Sequence, residues 1–301
     1  MGDPLSEVVQ LLRPRAVFAN LISGRGAWAV RYAEYGQPGF CIVLEGHCRL
    51  AVDGHPPIEI RAGDFVLLPT TPAFTLSSFA PAPPVFIDPR VTPGGGAELR
   101  HGEQSGPAEM RSLGGAFAFD RADAALLVSL LPRVVHVPGS QRLMQLVRMV
   151  GEEYAQQQPG AEFMLSRLAE MLLIEAMRAA SAGDAPPGLL RGLGDERLTV
   201  ALQRMHAQVE RRWTVAQLAA ASALSRSAFF ERFTRVVGMA PMEYLLAWRM
   251  EIAKDLLRRG ELSVAEIAER VGYGSGSAFS VAFARRVGSP PSRYPATAAQ
   301  A

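Results

Sequence analysis

Two cysteines are the residues of this chain with the clearest capacity for covalent chemistry. Cys41 and Cys48 are its only thiols, and cysteines on neighbouring strands can form a disulfide when their Cα atoms lie within about 7 Å. Arg49, next to Cys48, could lower the pKa of that thiol and make it oxidisable, which would give a sensor of oxidants or electrophiles. The alternative, which we favour, is a pair of small buried apolar side chains.

The potential metal ligands near these cysteines do not form a binding pattern. A metal site needs three or four donors that converge. Beside Cys48 the sequence offers only His47 and Glu45, and the alternation of a strand does not place all three on one face. No ligand spacing relates the other histidines, and no Ser/His/Asp, phosphate-loop or dinucleotide-loop signature occurs. We therefore expect no metal, no cofactor and no enzymatic activity, and we keep a metalloenzyme as an alternative.

The most informative pattern is a repeat near the C-terminus. Residues 218–238 and 267–288 align with each other, and five positions recur with an offset of 50. These pairs are Phe229 and Phe279, Phe233 and Phe283, Gly238 and Gly288, Pro241 and Pro291, and Tyr244 and Tyr294. Upstream the offset is 49, as in Thr214 and Ser263. The second copy therefore has one extra residue in its turn, where an insertion costs least.

Each copy has the pattern of a helix-turn-helix unit, over residues 214–238 and 263–288. A capping box, Thr214 with Gln217 or Ser263 with Glu266, begins a short helix. A turn and a longer helix ending at glycine follow. A connecting helix of nineteen residues from Pro241 would span roughly 28 Å. That length suits two helices placed in successive major grooves, about one turn of B-DNA or ~34 Å apart.

The outward face of the longer helix in each unit is predicted to contact DNA. Because the phenylalanines point inward, the opposite face carries the candidates Arg226, Ser227, Phe230, Glu231, Thr234 and Arg235 in the first unit and Gly276, Ser277, Ser280, Val281, Ala284 and Arg285 in the second. Glu231 could accept a hydrogen bond from cytosine N4, and Phe230 could contact a thymine methyl group. The candidates for phosphate contacts are Arg226, Arg232, Arg235, Arg285 and Arg286. The second set is small and mostly uncharged, so we expect base specificity to depend more on the first unit and shape reading on the second.

This region resembles the DNA-binding domain of the AraC/XylS family. The motif VAEIAERVGYGSGSAFSVAFARRVGSPPSRY (264–294) matches the family signature, and the similarity covers about 195–295. Two departures are the weakly basic stretch at 281–285 and Pro295, where relatives carry more basic residues. The resemblance implies a sequence-specific transcription regulator bound to double-stranded promoter DNA, most often an activator that contacts RNA polymerase.

The first part of the chain resembles the cupin-like sensor domain of a subset of that family. The similarity rests on residues 3–15, 39–54, 61–74 and 159–178. The predicted fold class is α+β in two domains. Residues 1–182 would form a cupin-like β-barrel followed by a helical hairpin, 183–194 a linker, and 195–301 an all-α domain with the tandem helix-turn-helix units. Another short helix is predicted at 123–131. The hairpin could pack within its own domain or form a homodimer.

The barrel would offer a pocket for an unknown small-molecule effector. Candidates for its lining are apolar and aromatic strand residues, each of which could equally be core packing: Trp28, Phe40, Cys41, Val43, Leu50, Phe65 and Leu67. The control signal would be this small molecule or oxidation of Cys41 and Cys48.

Charge and composition agree with a sensor joined to an anion-binding part. Residues 1–191 carry 16 Lys and Arg against 19 Asp and Glu, a net charge of −3, and residues 192–301 carry 15 against 10, a net charge of +5. The sequence lacks a signal peptide and a long apolar run, so we expect a cytoplasmic protein without a membrane span. A nonspecific architectural DNA binder is the second alternative.

Overall fold

The computed structural model describes residues 3–91, 98–119, 132–156, 158–181 and 187–294. The chain divides into two compact units, one formed by residues 12–184 and one by residues 1–11 together with 185–301. These units differ from the predicted domains, 1–182 and 195–301, because the N-terminal helix belongs with the C-terminal residues. The helix predicted at 123–131 lies outside the described residues.

The unit of residues 12–184 is built mainly from strands. In chain order they are β1 (Pro14–Arg25), β2 (Ala29–Tyr32), β3 (Gly39–Glu45), β4 (His47–Val52), β5 (Ile58–Arg61), β6 (Phe65–Leu68), β7 (Phe74–Ser77), β8 (Val85–Ile87), β9 (Leu99–Gly102), β10 (Met110–Phe119) and β11 (Val135–Val137). Their hydrogen bonds form one sheet in the order β11-β6-β3-β10-β1-β9 and another in the order β5-β4-β7-β2-β8. The long antiparallel pair of β1 and β10 is central to the first sheet.

The core of this unit draws side chains from both sheets. Val43 on β3 and Met110 on β10 belong to the same buried cluster as Leu50 on β4 and Leu76 on β7. Strand β4 shows how the alternation arises: His47 and Arg49 are exposed, whereas Cys48, Leu50 and Val52 are buried. The strands of the predicted cupin-like β-barrel pair, in the described part of the chain, as two sheets that share one core and do not close into a barrel.

A helical hairpin covers the first sheet. Helix α2 (Gln141–Gln156) and helix α3 (Ala161–Ser181) pack against each other and against β1. Gly151 lets α2 approach β10 closely, since a Cβ atom there would lie 2.9 Å from Leu113 Cδ2. Leu172 and Ala176 of α3 are fully buried, whereas Phe163, nine residues before Leu172 and so on the opposite side of the helix, is 65% exposed. The hairpin therefore has an intradomain packing role and also presents apolar surface.

The other unit is helical. Besides α1 (Pro4–Leu12) it contains α4 (Leu189–Gly194), α5 (Leu198–Ala207), α6 (Val215–Ala221), α7 (Arg226–Val237), α8 (Pro241–Arg259), α9 (Val264–Arg270), α10 (Gly276–Val287) and a final 3-10 turn (Pro291–Arg293). The last six residues of the predicted linker form α4, and Leu189 and Leu190 are buried there because the helix contributes to the core. None of the helices within the described ranges is long and apolar enough to cross a lipid bilayer.

Helix α1 is attached to this unit by a buried hydrogen-bonded chain. Glu7 Oε2 lies 2.8 Å from His206 Nδ1, and His206 Nε2 lies 2.7 Å from the hydroxyl of Tyr244. A carboxylate only accepts, so Nδ1 carries the proton and Nε2 accepts from the tyrosine. The His206 ring also packs on Trp248, with 4.2 Å between ring centroids. Burial lowers the pKa of His206, against the opposing effect of Glu7, and favours the neutral ring.

The two turns between short and long helices have the lengths that the repeat predicts. Residues 222–225 separate α6 from α7, and residues 271–275 separate α9 from α10. Each turn has one residue with positive φ, Ala223 at +51° and Gly272 at +80°. At Gly272 a Cβ atom would lie 2.3 Å from the carbonyl oxygen of Glu210. Glycine is therefore required in the second turn, whereas the first turn holds a strained alanine.

This difference predicts opposite effects of two exchanges. Ala223→Gly should raise the free energy of unfolding by about 0.5–1 kcal/mol, because relief of the left-handed strain exceeds the added chain entropy. Gly272→Ala should lower it by about 2 kcal/mol or more through the backbone collision. Urea titration of both variants checks this, and a stabilising Gly272→Ala would contradict the turn geometry.

The burial of His206 predicts a pH dependence. Because the folded-state pKa of His206 lies below the unfolded value of about 6.5, the unfolded chain takes up the proton more readily. The contribution of this residue to stability is complete above pH 6.5 and is lost as the pH falls below it. Between pH 7.5 and pH 5.5, the free energy of unfolding measured by urea titration should decrease less for His206→Gln than for wild type. His55→Gln, at an exposed histidine, is the control and should behave as wild type.

Candidate nucleic-acid interface and ligand cavity

An aromatic core positions the long helix of the first helix-turn-helix unit. The capping box of Thr214 and Gln217 is confirmed at the start of α6, and Ser225 caps α7. Phe229 and Phe233 are completely buried, with ring centroids 5.6 Å apart. Phe233 meets the ring of Tyr244 on α8 edge-on at 5.9 Å. These contacts fix the rotation of α7 and leave its opposite face to solvent.

The second unit repeats this core with nearly the same dimensions. The Phe279 and Phe283 centroids are 5.5 Å apart, and Phe283 meets Tyr294 edge-on at 5.4 Å. The two tyrosine hydroxyls have different partners. The Tyr294 hydroxyl accepts a hydrogen bond from Arg258 Nη2 at 2.7 Å, whereas the Tyr244 hydroxyl bonds to His206. The duplication therefore preserved the core and changed its outer attachment.

The outward face of α7 carries most of the predicted contact residues of the first unit. Arg226, Ser227, Glu231 and Arg235 are exposed, and so is the ring of Phe230 at 45%. Thr234 is placed differently, because the residue is half-buried and its Oγ1 atom is shielded from solvent. Its hydroxyl is therefore not exposed on the outward face of the helix.

The corresponding face of α10 is smaller and less polar. Among its predicted contact residues, Ser277, Val281 and Arg285 are exposed, Val281 at 72%. Half-buried members are Gly276, Ser280 and Ala284. The Ser280 hydroxyl already donates to the carbonyl oxygen of Gly276 at 2.7 Å. The chemical difference between the two faces that the sequence suggested is present in the structure.

Some arginines near these faces have structural partners instead. Arg232 Nε donates to Asp195 Oδ2 at 2.8 Å, while Asp195 also caps the start of α5 through the amide of Leu198. Arg249 donates to the carbonyl oxygens of Val209 and Arg211. Sequence position alone could not separate these arginines from exposed ones such as Arg226, because both kinds lie at similar helical spacings.

A cavity of about 100 Å³ lies among the strands of the other unit. Of the residues predicted to line a pocket, Phe40, Cys41 and Leu50 do so, whereas Trp28, Val43, Phe65 and Leu67 are buried elsewhere in the core. Several polar members of the lining were not among the predicted residues, because they come from separate strands and loops: Asn20, Tyr32, Tyr35 and Thr71. Thr71 has a φ of +36°, unusual for a β-branched residue and a form of strain that clusters at functional sites.

The two cysteines lie inside this unit as free thiols. Burial raises the pKa of the Cys41 thiol to about 11, an effect that the Ser112 hydroxyl partly offsets. Burial raises the pKa of Cys48 further, with a contribution from Cys41. Arg49 does not counteract this, because it points to the outer face of β4 and its guanidinium lies over the ring of Phe79 at 5.2 Å. Across the described residues, no three His, Cys, Asp or Glu side chains converge as metal ligands would.

Comparison with known proteins agrees with both parts of this arrangement. A family profile described as Cupin matches residues 3–182, and one described as Helix-turn-helix domain matches residues 218–297. An AraC-like transcription regulator of Streptomyces lividans is 36% identical over 97% of each chain. One of Streptomyces antibioticus is 37% identical over 97% of this chain and 98% of its own. The regulator AlkR of Acinetobacter baylyi is 34% identical over 56% of this chain and 57% of its own.

These similarities extend over nearly the whole chain and include both units. The predicted resemblance to the AraC/XylS family is thereby confirmed, together with the order of a cupin domain and a helix-turn-helix domain. The chain belongs to the AraC-like transcription regulators, with a cupin domain followed by a helix-turn-helix DNA-binding domain.

Proposed function

We propose that this protein binds specific promoter DNA through both helix-turn-helix units under the control of a small molecule held in the cupin domain. The observation that carries the proposal is the pair of matching aromatic cores, each of which leaves one face of a long helix exposed. The proposed contacts are Arg226, Ser227, Phe230, Glu231 and Arg235 with Gly276, Ser277, Ser280, Val281, Ala284 and Arg285. Thr234 is omitted because of its shielded hydroxyl.

The proposal includes action in the cytoplasm as a homodimeric activator that contacts RNA polymerase. Support for a dimer comes from apolar side chains that the helical hairpin exposes, Met149 on α2 and Phe163, Met164 and Met171 on α3. Met164 and Met171 are seven residues apart and so share one side of α3. Activation through RNA polymerase rests on the family resemblance.

We also propose that the protein is not an enzyme. Its relatives are transcription regulators, and the described residues bring no three potential metal ligands together. Metal analysis of the purified protein tests the metalloenzyme alternative: a stoichiometric transition metal would contradict our proposal.

Competition binding tests sequence-specific recognition. A fragment of the protein's own promoter region should displace labelled DNA at far lower concentration than a scrambled fragment of the same length and composition. Both must be measured at one salt concentration, because phosphate contacts depend steeply on salt. Equal affinities would favour an architectural DNA binder.

The unequal faces predict different effects at Glu231 and Ser280. Glu231→Ala should reduce discrimination at one base pair of the operator by about 1–3 kcal/mol, because it removes the carboxylate that can accept a hydrogen bond from cytosine N4. Ser280→Ala should change discrimination by less than about 0.5 kcal/mol, because its hydroxyl is already bonded to Gly276. Affinities for a set of single-base operator variants measure both effects. A larger loss from Ser280→Ala would reverse the proposed division between the units.

The raised pKa values of the thiols predict no response to oxidants. At pH 7 a thiol with a pKa of about 11 is deprotonated in only about one molecule in ten thousand. Promoter binding should therefore be unchanged by hydrogen peroxide, both in wild type and in the double variant Cys41→Ser, Cys48→Ala. A peroxide effect in wild type that the double variant lacks would support the thiol sensor instead.

A further inference from the structure

The cavity of the cupin domain lies between surfaces contributed by both sheets. Gly114 and Cys41 come from the first sheet, and Tyr32, Leu50 and Leu76 come from the second. Because a cavity of about 150 Å³ can hold benzene, a cavity of about 100 Å³ encloses about four or five non-hydrogen atoms, which is part of a small aromatic ligand.

The described lining contains no Asp, Glu, Lys, Arg or His side chain. Its surface is apolar except for side chains that are all neutral in this setting: Asn20, Tyr32, Tyr35, Cys41 and Thr71. A charged ligand would lose its hydration here without gaining an ion pair, which costs far more than one neutral hydrogen bond returns. The cavity wall therefore selects against carboxylates, phosphates and ammonium groups.

One of these polar groups lacks a partner. Tyr32 is only 8% exposed, and its hydroxyl has no hydrogen bond among the described residues. Its ring is held in place by stacking on Phe74, with 4.7 Å between centroids. Burial raises the pKa of the phenol, so the group remains a neutral donor. A buried donor without an acceptor is rare in native proteins and marks a place where a ligand or water would complete the bonding.

We infer that the effector is a neutral, predominantly apolar small molecule whose one hydrogen-bond acceptor accepts a hydrogen bond from the Tyr32 hydroxyl. The inference rests on the proposed function, since it identifies the class of molecule that the regulator binds. The ring of Tyr32 and that of Phe74 supply a flat apolar surface, so a planar ligand fits this wall best.

Three probes of one shape separate the contributions to binding. Cumene, acetophenone and benzoate each have nine non-hydrogen atoms and differ only at the branch: two methyl groups, one methyl group and one carbonyl oxygen, or a carboxylate. Binding to the full-length protein is measured by calorimetry. Acetophenone should bind about fivefold to tenfold more tightly than cumene, as one hydrogen bond provides, and benzoate should bind weakest.

Two variants connect these affinities to the cavity. Tyr32→Phe keeps the stacked ring and removes the donor, so acetophenone should bind no more tightly than cumene, because its carbonyl oxygen is then buried without a hydrogen bond. The affinity of cumene itself should be unchanged. Ile87→Phe adds volume to the lining on the edge strand β8 and should weaken all three probes. Tyr273→Phe, in the other unit, is the matched control and should bind the probes as wild type does.

Several results would overturn the inference. These are strongest binding of benzoate, equal binding of cumene and acetophenone to wild type, or no binding of any probe at millimolar concentration. Promoter competition with the same protein samples keeps the two proposals distinguishable. If the protein binds its promoter specifically but gives one of these probe results, only the inferred ligand class is overturned. If promoter binding is not specific, the proposed function is overturned regardless of how the probes bind.

Discussion

The edge-on contact between a phenylalanine of the long helix and a tyrosine beyond it determines the structure of each helix-turn-helix unit. Phe233 with Tyr244 and Phe283 with Tyr294 are separated by 5.9 and 5.4 Å. Because a second phenylalanine lies four residues earlier, one whole side of the helix is committed to the core. The opposite side must then face solvent, so the identity of the exposed residues follows from the core rather than from any local preference.

The two tyrosines also explain why the duplicated units are not equivalent. Tyr244 bonds through His206 to Glu7, so the core of the first unit is connected to the N-terminal helix. Tyr294 bonds to Arg258 at the end of the connecting helix. The aromatic rings are the same in both copies because they fill the core. The partner of each hydroxyl differs because it comes from a neighbouring element that is not duplicated. The first unit therefore depends on a segment almost two hundred residues away in sequence.

The repeat made the C-terminal region highly predictable. Its offset of 50 identified the buried phenylalanines, its offset of 49 paired the capping boxes, and the change between the two offsets revealed the extra turn residue. Each of these is a local pattern within one or two helices. Thr234 was harder to place, since a half-buried position at the edge of a helical face is not resolved by periodicity. The attachment of α1 had no local signal, because Glu7 and His206 are ordinary residues until the fold brings them together.

The cavity shows a second limit of sequence reasoning. Strand alternation places Cys41 and Val43 on the same face of β3, yet Cys41 lines the cavity and Val43 belongs to the packed core. The facing sheet, which carries Tyr32 and Leu76, determines which inward-facing residue lines the cavity. The contact between the two sheets is non-local in sequence.

The same enclosure bears on the two hypotheses for the signal. An apolar wall raises the free-energy cost of a thiolate at Cys41 and also strengthens a satisfied hydrogen bond at Tyr32. Conditions that make this cavity selective for a neutral ligand therefore make its cysteine a poor nucleophile. Small-molecule binding and thiol oxidation are opposed consequences of burial at this site, and the arrangement of Tyr32, Cys41 and Phe74 favours the first.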